Sequence, residues 1–96
     1  MAIKVLIKRK IPEGLNDPLF NNLIRKLRSL ASVQPGYISG VTFKRVDQPR
    51  EFLVVSTWQN IDAWNEWRTN RERNQLQEQI NAIIGAQTEY EVYEYL

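Results

Sequence analysis

An α+β fold of the ferredoxin-like kind, four antiparallel strands in βαββαβ order with the helices on one face, follows from three features of this chain. The segment at its start alternates apolar and polar residues with a period of two. A strong helical stripe occupies residues 18–33. Two further β-rich segments flank the tight turn Asp47-Gln48-Pro49-Arg50. With 96 residues there is material for one core. We therefore expect a single domain over residues 1–96, with a thin margin of stability that a partner subunit would widen.

Residues 2–10 place Ile3, Val5 and Ile7 on one side and Lys4, Leu6, Lys8 and Lys10 on the other. That is strand alternation rich in β-branched side chains. Pro12-Glu13-Gly14 ends it. Asp17 is a good N-cap, and Pro18 suits the first helical position, where a missing N–H costs nothing. Leu19, Phe20, Leu23, Ile24, Leu27, Leu30 and Ala31 then recur at helical spacing until Pro35-Gly36. Residues 37–46 read as a strand with Tyr37, Val41 and Phe43 on one face and Gly40 marking a bulge. Its hairpin partner, residues 52–58, is apolar on both faces. Asn60 caps a second helix carrying Ile61, Trp64 and Trp67, which continues over 70–82 after a break near Asn70 and stops at Gly85. Residues 87–95 return to strand.

Both crossovers are right-handed only if the two helices share one face of the sheet. The other face still carries large apolar residues from 52–58 and aromatics from 37–43 and 90–95. A water-facing sheet would show Lys, Thr and Glu there. A two-fold dimer, sheet against sheet, covers such a patch economically.

Composition narrows the chemistry. The chain has no cysteine and no histidine. It therefore has no thiolate nucleophile or ligand, and it lacks the usual neutral-pH base and the commonest transition-metal ligand. No dense acidic cluster supplies a carboxylate metal site, so neither metal nor cofactor is expected. The net charge of +2 mixes 13 basic with 11 acidic residues, which is no nucleic-acid footprint. Residues 51–58 also lack the RNA-binding aromatic signature expected on a third strand. Ser39 to Arg45 has a faint likeness to the acylphosphatase loop but follows the helix it would have to precede. Residues 1–8 lack a signal peptide's apolar stretch, and no apolar run approaches the ~20 residues of a membrane span, so a cytoplasmic protein without membrane contact is expected. Lys4, Lys8, Arg9 and Lys10 form a basic stripe that reads as a solvated, edge-protecting strand face.

The run Gln34-Pro35-Gly36-Tyr37-Ile38-Ser39-Gly40, with Thr57-Trp58-Gln59-Asn60-Ile61-Asp62-Ala63-Trp64-Asn65-Glu66-Trp67, resembles the antibiotic biosynthesis monooxygenase family. In element order and length the likeness covers almost the whole chain. It implies a dimeric α/β barrel in which two sheets face each other, and chemistry that oxygenates phenolic or quinol-like aromatics without metal or flavin. Aromatic-oxidising members carry a strand Trp four residues after an Asn, with a Tyr six residues further on. Here Trp58 matches the Trp, whereas the Asn and Tyr positions hold Val54 and Trp64. Haem-degrading members use a first-strand Asn, a second-helix Trp and a downstream His ligand. Trp67 matches that Trp, while the other two positions fall near Ile7 and Gln77. Without a histidine, haem degradation of that type is not expected.

Two readings of the tryptophans stand side by side. Trp58, Trp64 and Trp67 fill core between helices and sheet, or they wall a flat slot for an aromatic ligand together with Val54, Phe20 and Ile24. Trp58 and Trp67 are then the catalytic candidates. Arg68, Arg71 and Arg73 either are solvated or steady an anion. Tyr37, Tyr90, Tyr93 and Tyr95 pack across strands or line the dimer interface. The function expected is a cofactor-independent monooxygenase acting on a phenolic or polycyclic aromatic. The alternative is a non-catalytic dimeric module that binds a small hydrophobic ligand or serves as an assembly unit.

Overall fold

The computed structural model describes residues 1–96. The elements are β1 (Ile3–Lys10), α1 (Pro18–Ser32), β2 (Tyr37–Lys44), β3 (Glu51–Trp58), α2 (Ile61–Arg68), α3 (Arg71–Ile84) and β4 (Glu89–Glu94). The strands form one antiparallel sheet in the order β2-β3-β1-β4. This is the expected ferredoxin-like arrangement, with its second helix divided in two.

Side-chain caps set the helix boundaries. The Asp17 carboxylate accepts a hydrogen bond from the Leu19 amide at 2.9 Å, and Asn60 accepts one from Ala63 at 2.9 Å. Asn70 accepts from the Arg73 amide at 2.9 Å and starts α3 two residues after α2 ends. Such a cap contributes about 1 kcal/mol, enough to fix the break that the periodicity alone leaves vague. Gly85, in the left-handed region at φ 69°, closes α3.

The helices cover one face. Ile3 and Val5 of β1 and Trp58 of β3 pack there against Trp64 and Trp67 of α2, with Leu27, Leu30 and Ala31 of α1 beside them. A second cluster, Leu23, Leu76 and Ile80, joins α1 to α3. On the other face the pairing aligns Leu6 with Val55 and Val41, and Leu53 with Phe43. Val41 and Phe43 are 50% and 52% exposed.

Two sequence expectations are corrected here. Tyr37 does not share a face with Val41 and Phe43, and Gly40 is not the bulge. The register shifts between Tyr37 and Ser39, so Ile38 is the extra residue. One inserted residue reverses the phase of everything beyond it. Tyr37 therefore turns under the helices, while Val41 and Phe43 turn away from them. The basic stripe is not edge protection either, because β1 is a central strand. Lys4 donates to the Thr57 hydroxyl at 2.9 Å and Lys8 pairs with Glu91 at 2.9 Å on the uncovered face, whereas Arg9 falls in phase with Ile3, Val5 and Ile7 beneath the helices.

Candidate functional site

Between α1 and the sheet lies a cleft of about 430 Å³, within the roughly 300–1,000 Å³ usual for small-molecule sites. Its origin is side-chain volume. Where β2 and β3 face α1 they present Gly40, Thr42, Val54 and Ser56, and α1 answers in part with Ala31. Small residues on both sides leave space that no neighbour fills. Gly40 matters for a second reason: a Cβ there would lie 2.7 Å from the Tyr37 hydroxyl, so its absence lets that ring lie along the cavity wall.

One wall is aromatic. Trp58 and Trp67 stack with centroids 6.4 Å apart and planes 26° from parallel. Tyr37 meets Trp58 edge-on at 5.4 Å. Trp58 is 1% exposed, and its indole N–H donates to the Ser56 hydroxyl at 3.1 Å. That donor is therefore occupied. Phe20, Ile24 and Val54 also line the cleft.

Trp64 does not line it. It sits behind Trp58 at 6.0 Å, against Tyr90 at 5.9 Å, and is 2% exposed. Of the three arginines that sequence reasoning grouped, only Arg73 borders the cleft. Arg68 and Arg71 are exposed on the helix surface because their positions on α2 and α3 turn outward. The tyrosines divide as well. Tyr37 and Tyr90 lie under the helices, whereas Tyr93 is exposed on the opposite face and Tyr95 lies beyond β4.

Sequence reasoning missed Arg9 and Arg28, which share the cavity wall with Arg73. Arg28 donates to the Thr42 hydroxyl at 2.6 Å, bridging α1 to β2. Arg73 donates to the Tyr90 hydroxyl at 2.6 Å and to Asn74 at 2.9 Å, with its guanidinium carbon 5.1 Å from the Tyr90 ring centre. Arg9 donates to the Gln77 side-chain oxygen at 3.0 Å. Gln77 in turn donates to Asn81 and Thr88, both at 2.8 Å, so its amide is fully engaged in holding Arg9. Burial pushes the Arg9 guanidinium below its ordinary pKa. The charges of Arg73 and Arg28 push it the same way, and Tyr90 opposes them. The signal for Arg9 was present in the sequence as a charged residue in phase with an apolar strand face.

A family model described as antibiotic biosynthesis monooxygenase matches residues 2–79. The chain belongs to the antibiotic biosynthesis monooxygenase family. Members of this family generally pair as dimers. The uncharacterized protein YqjZ of Bacillus subtilis (strain 168) is 28% identical over 68 residues, which are 71% of this chain and 58% of that protein. The chain thus spans less than two thirds of the length of this curated relative. Among solved structures, a conserved protein from Methanosarcina mazei Go1 superposes with a TM-score of 0.86 at 16% identity, covering 99% of this chain and 93% of its own. SnoaB, a cofactor-independent oxygenase from Streptomyces nogalater, superposes with a TM-score of 0.81 at 10% identity, with the same coverage. At these identities the likeness is one of fold. No helix is long and apolar enough to cross a membrane, and no three His, Cys, Asp or Glu side chains gather where a metal could be held.

Proposed function

We propose that the chain is a cofactor-independent monooxygenase of a phenolic or polycyclic aromatic compound. The observation that carries this reading is the cleft itself, where stacked indoles and three arginines border one space. The family supports it, as does the fold shared with SnoaB, itself a cofactor-independent oxygenase.

Such chemistry asks the protein for little covalent work. An anthrone or quinol that loses a proton becomes electron-rich enough to pass one electron to O₂. The substrate radical and superoxide then combine to form a C–O bond. For an anthrone, cleavage of the O–O bond with loss of water leaves a new ring carbonyl, so one oxygen atom ends in product and one in water. The cationic wall favours the substrate anion, so the substrate gives its proton to solvent water at the cleft mouth with no histidine to take it. The indoles and aliphatic side chains exclude water from the radical pair.

Oxygen uptake with a panel of anthrones and 1,4-dihydroxynaphthalenes tests the reading. Wild type should exceed buffer, and Trp58→Phe and Trp67→Phe should each slow uptake about tenfold or more, because positioning is lost. No uptake above buffer with any of them overturns it.

One observation favours a second reading, a non-catalytic dimeric module that binds a hydrophobic ligand. Val54 and Trp64 stand where aromatic-oxidising members carry Asn and Tyr, and the Trp58 N–H is already bound to Ser56. Ligand binding without oxygen uptake would decide for it. Both readings share a homodimer through the uncovered sheet face, supported by Val41 and Phe43 at its β2 edge and Tyr93 at its β4 edge, each about half exposed. Sedimentation of a folded single chain at micromolar concentration would remove that part.

A further inference from the structure

An aromatic substrate explains an apolar cleft, and its ionised oxygen calls for one cation beside it, whereas the wall holds three arginines. The only carboxylate among the lining residues is Asp17, and its Oδ1 is engaged in capping α1. The ion pairs of the molecule are Lys8–Glu91, Arg45–Asp47 and Arg45–Glu51, so none of the three cavity arginines has an acidic partner. Arg73 is 6% exposed, and its Nε has no acceptor in the protein. The Nε of Arg9 is likewise buried without one. A guanidinium stays protonated even when burial lowers its pKa. A buried positive charge without a counter-charge is unfavourable, and natural proteins keep such an arrangement where a ligand or partner completes it.

We propose that the ligand of this cleft is an aromatic carboxylic acid, its carboxylate held between Arg9 and Arg73 and its rings lying toward Trp58 and Trp67. The proposal rests on the small-molecule reading of the cleft and narrows it to a permanent anion. Two further features fit. In the sheet register Arg9 lies opposite Phe52 and Ile3 lies opposite Trp58, at the two ends of β1, so cationic and aromatic walls follow one another along the strand. The one hydrogen bond of the Arg9 guanidinium uses Nη2, which leaves its Nη1 free to donate to a carboxylate. Gln77 is a positioning residue here, because its oxygen holds Arg9 while Asn81 and Thr88 hold its amide nitrogen.

The test compares 2-naphthoate with its neutral isostere 2-naphthamide, by titration calorimetry at pH 7.5 on the full chain. Naphthoate should bind about tenfold tighter or better, as hydrogen bonds to a charged acceptor are the stronger ones. Arg9→Gln should reduce naphthoate affinity about tenfold and leave naphthamide within about twofold, which also reports that the cleft is intact. Arg9→Lys should keep a preference for the acid. Arg28→Gln, at an exposed position of the same wall, should cost about threefold and tests the role of the wall's charge without touching Arg9. Equal affinity for acid and amide overturns the proposal, as does an acid preference that survives Arg9→Gln, because the carboxylate would then be held by another cation. Failure of both probes to bind overturns it together with the small-molecule reading. A clear acid preference with no oxygen uptake from any anthrone sinks the oxygenase reading alone and leaves this one standing.

Discussion

Two halves of the space under the helices contrast sharply, although one sheet face underlies both. Toward β4, Trp64 and Tyr90 pack ring against ring under the Arg73 guanidinium, with Trp58 and Arg73 forming the border with the cleft. Toward β2, Gly40, Thr42, Val54 and Ser56 face α1 across open space. The difference is side-chain volume at matched positions of neighbouring strands. A solid half holds the fold while the hollow half is free to bind. Substitutions in the two halves should therefore fail in different ways.

The largest effect belongs to the solid half. Trp64→Ala removes a 2%-exposed indole that packs on Trp58 and Tyr90 and lies under Arg73. It should cost about 3–5 kcal/mol in urea denaturation. Ile24→Ala, on the cavity wall, already faces space on one side and should cost only about 1–2 kcal/mol, below the usual range for a packed core. Equal losses would abolish the contrast between the halves.

Next is the seam where the two halves join. Gly36 has φ +82°, and a Cβ there would lie 2.5 Å from the Ala63 Cβ at the start of α2. Gly36→Ala combines backbone strain with a clash and should destabilise by about 2–3 kcal/mol. Gly85 has a similar φ of +69° but open space around it, so Gly85→Ala isolates the strain at about 1 kcal/mol. If the two variants melt alike, the approach of α2 to the turn before β2 is looser than described.

Overfilling sharpens the comparison from the other side. In a packed core an added ring costs about 1–3 kcal/mol. Ile24→Phe directs the added volume into the cleft, so its stability should change by less than about 1 kcal/mol. Naphthoate binding should nevertheless fall about tenfold or more as the space is occupied. Stability lost with binding retained would mean that the cleft is not where the ligand sits.

What the sequence disclosed follows the same division. Period and caps are local, so β1, α1, the hairpin and a break near Asn70 could all be read from the chain. The bulge at Ile38 could not, since nothing in Pro35-Gly36-Tyr37 says which residue is the extra one, and the face of every later side chain on β2 depends on it. The cleft was equally hidden. Emptiness is a sum over side chains from β2, β3 and α1, which are distant in sequence. Helical spacing puts Trp64 and Trp67 on one side of α2, but only tertiary packing turns Trp64 toward Tyr90 and leaves Trp67 on the cavity wall. Arg9 was readable in principle, because a charge in phase with Ile3, Val5 and Ile7 conflicts with the local pattern, and such conflicts gather at functional sites.

The smallest effect is expected outside both halves, at the β2–β3 turn. Arg45 reaches Asp47 at 2.7 Å and also pairs with Glu51. The hydrogen bond from Arg45 holds the Asp47 carboxyl below its ordinary pKa. A carboxyl depressed in the folded state adds stability above its unfolded value, near 4, and loses it as pH falls through the folded value. Any contribution therefore disappears only below about pH 4. The groups are exposed, so water and salt screen the pair, and side-chain ordering offsets much of what remains. Arg45→Ala should leave the urea midpoint at pH 7 unchanged within error, while Trp64→Ala moves it far. A large loss at Arg45 would mean that the turn is held far more tightly than its exposure allows, and that rigidity under the helices does not account for the stability of the sheet.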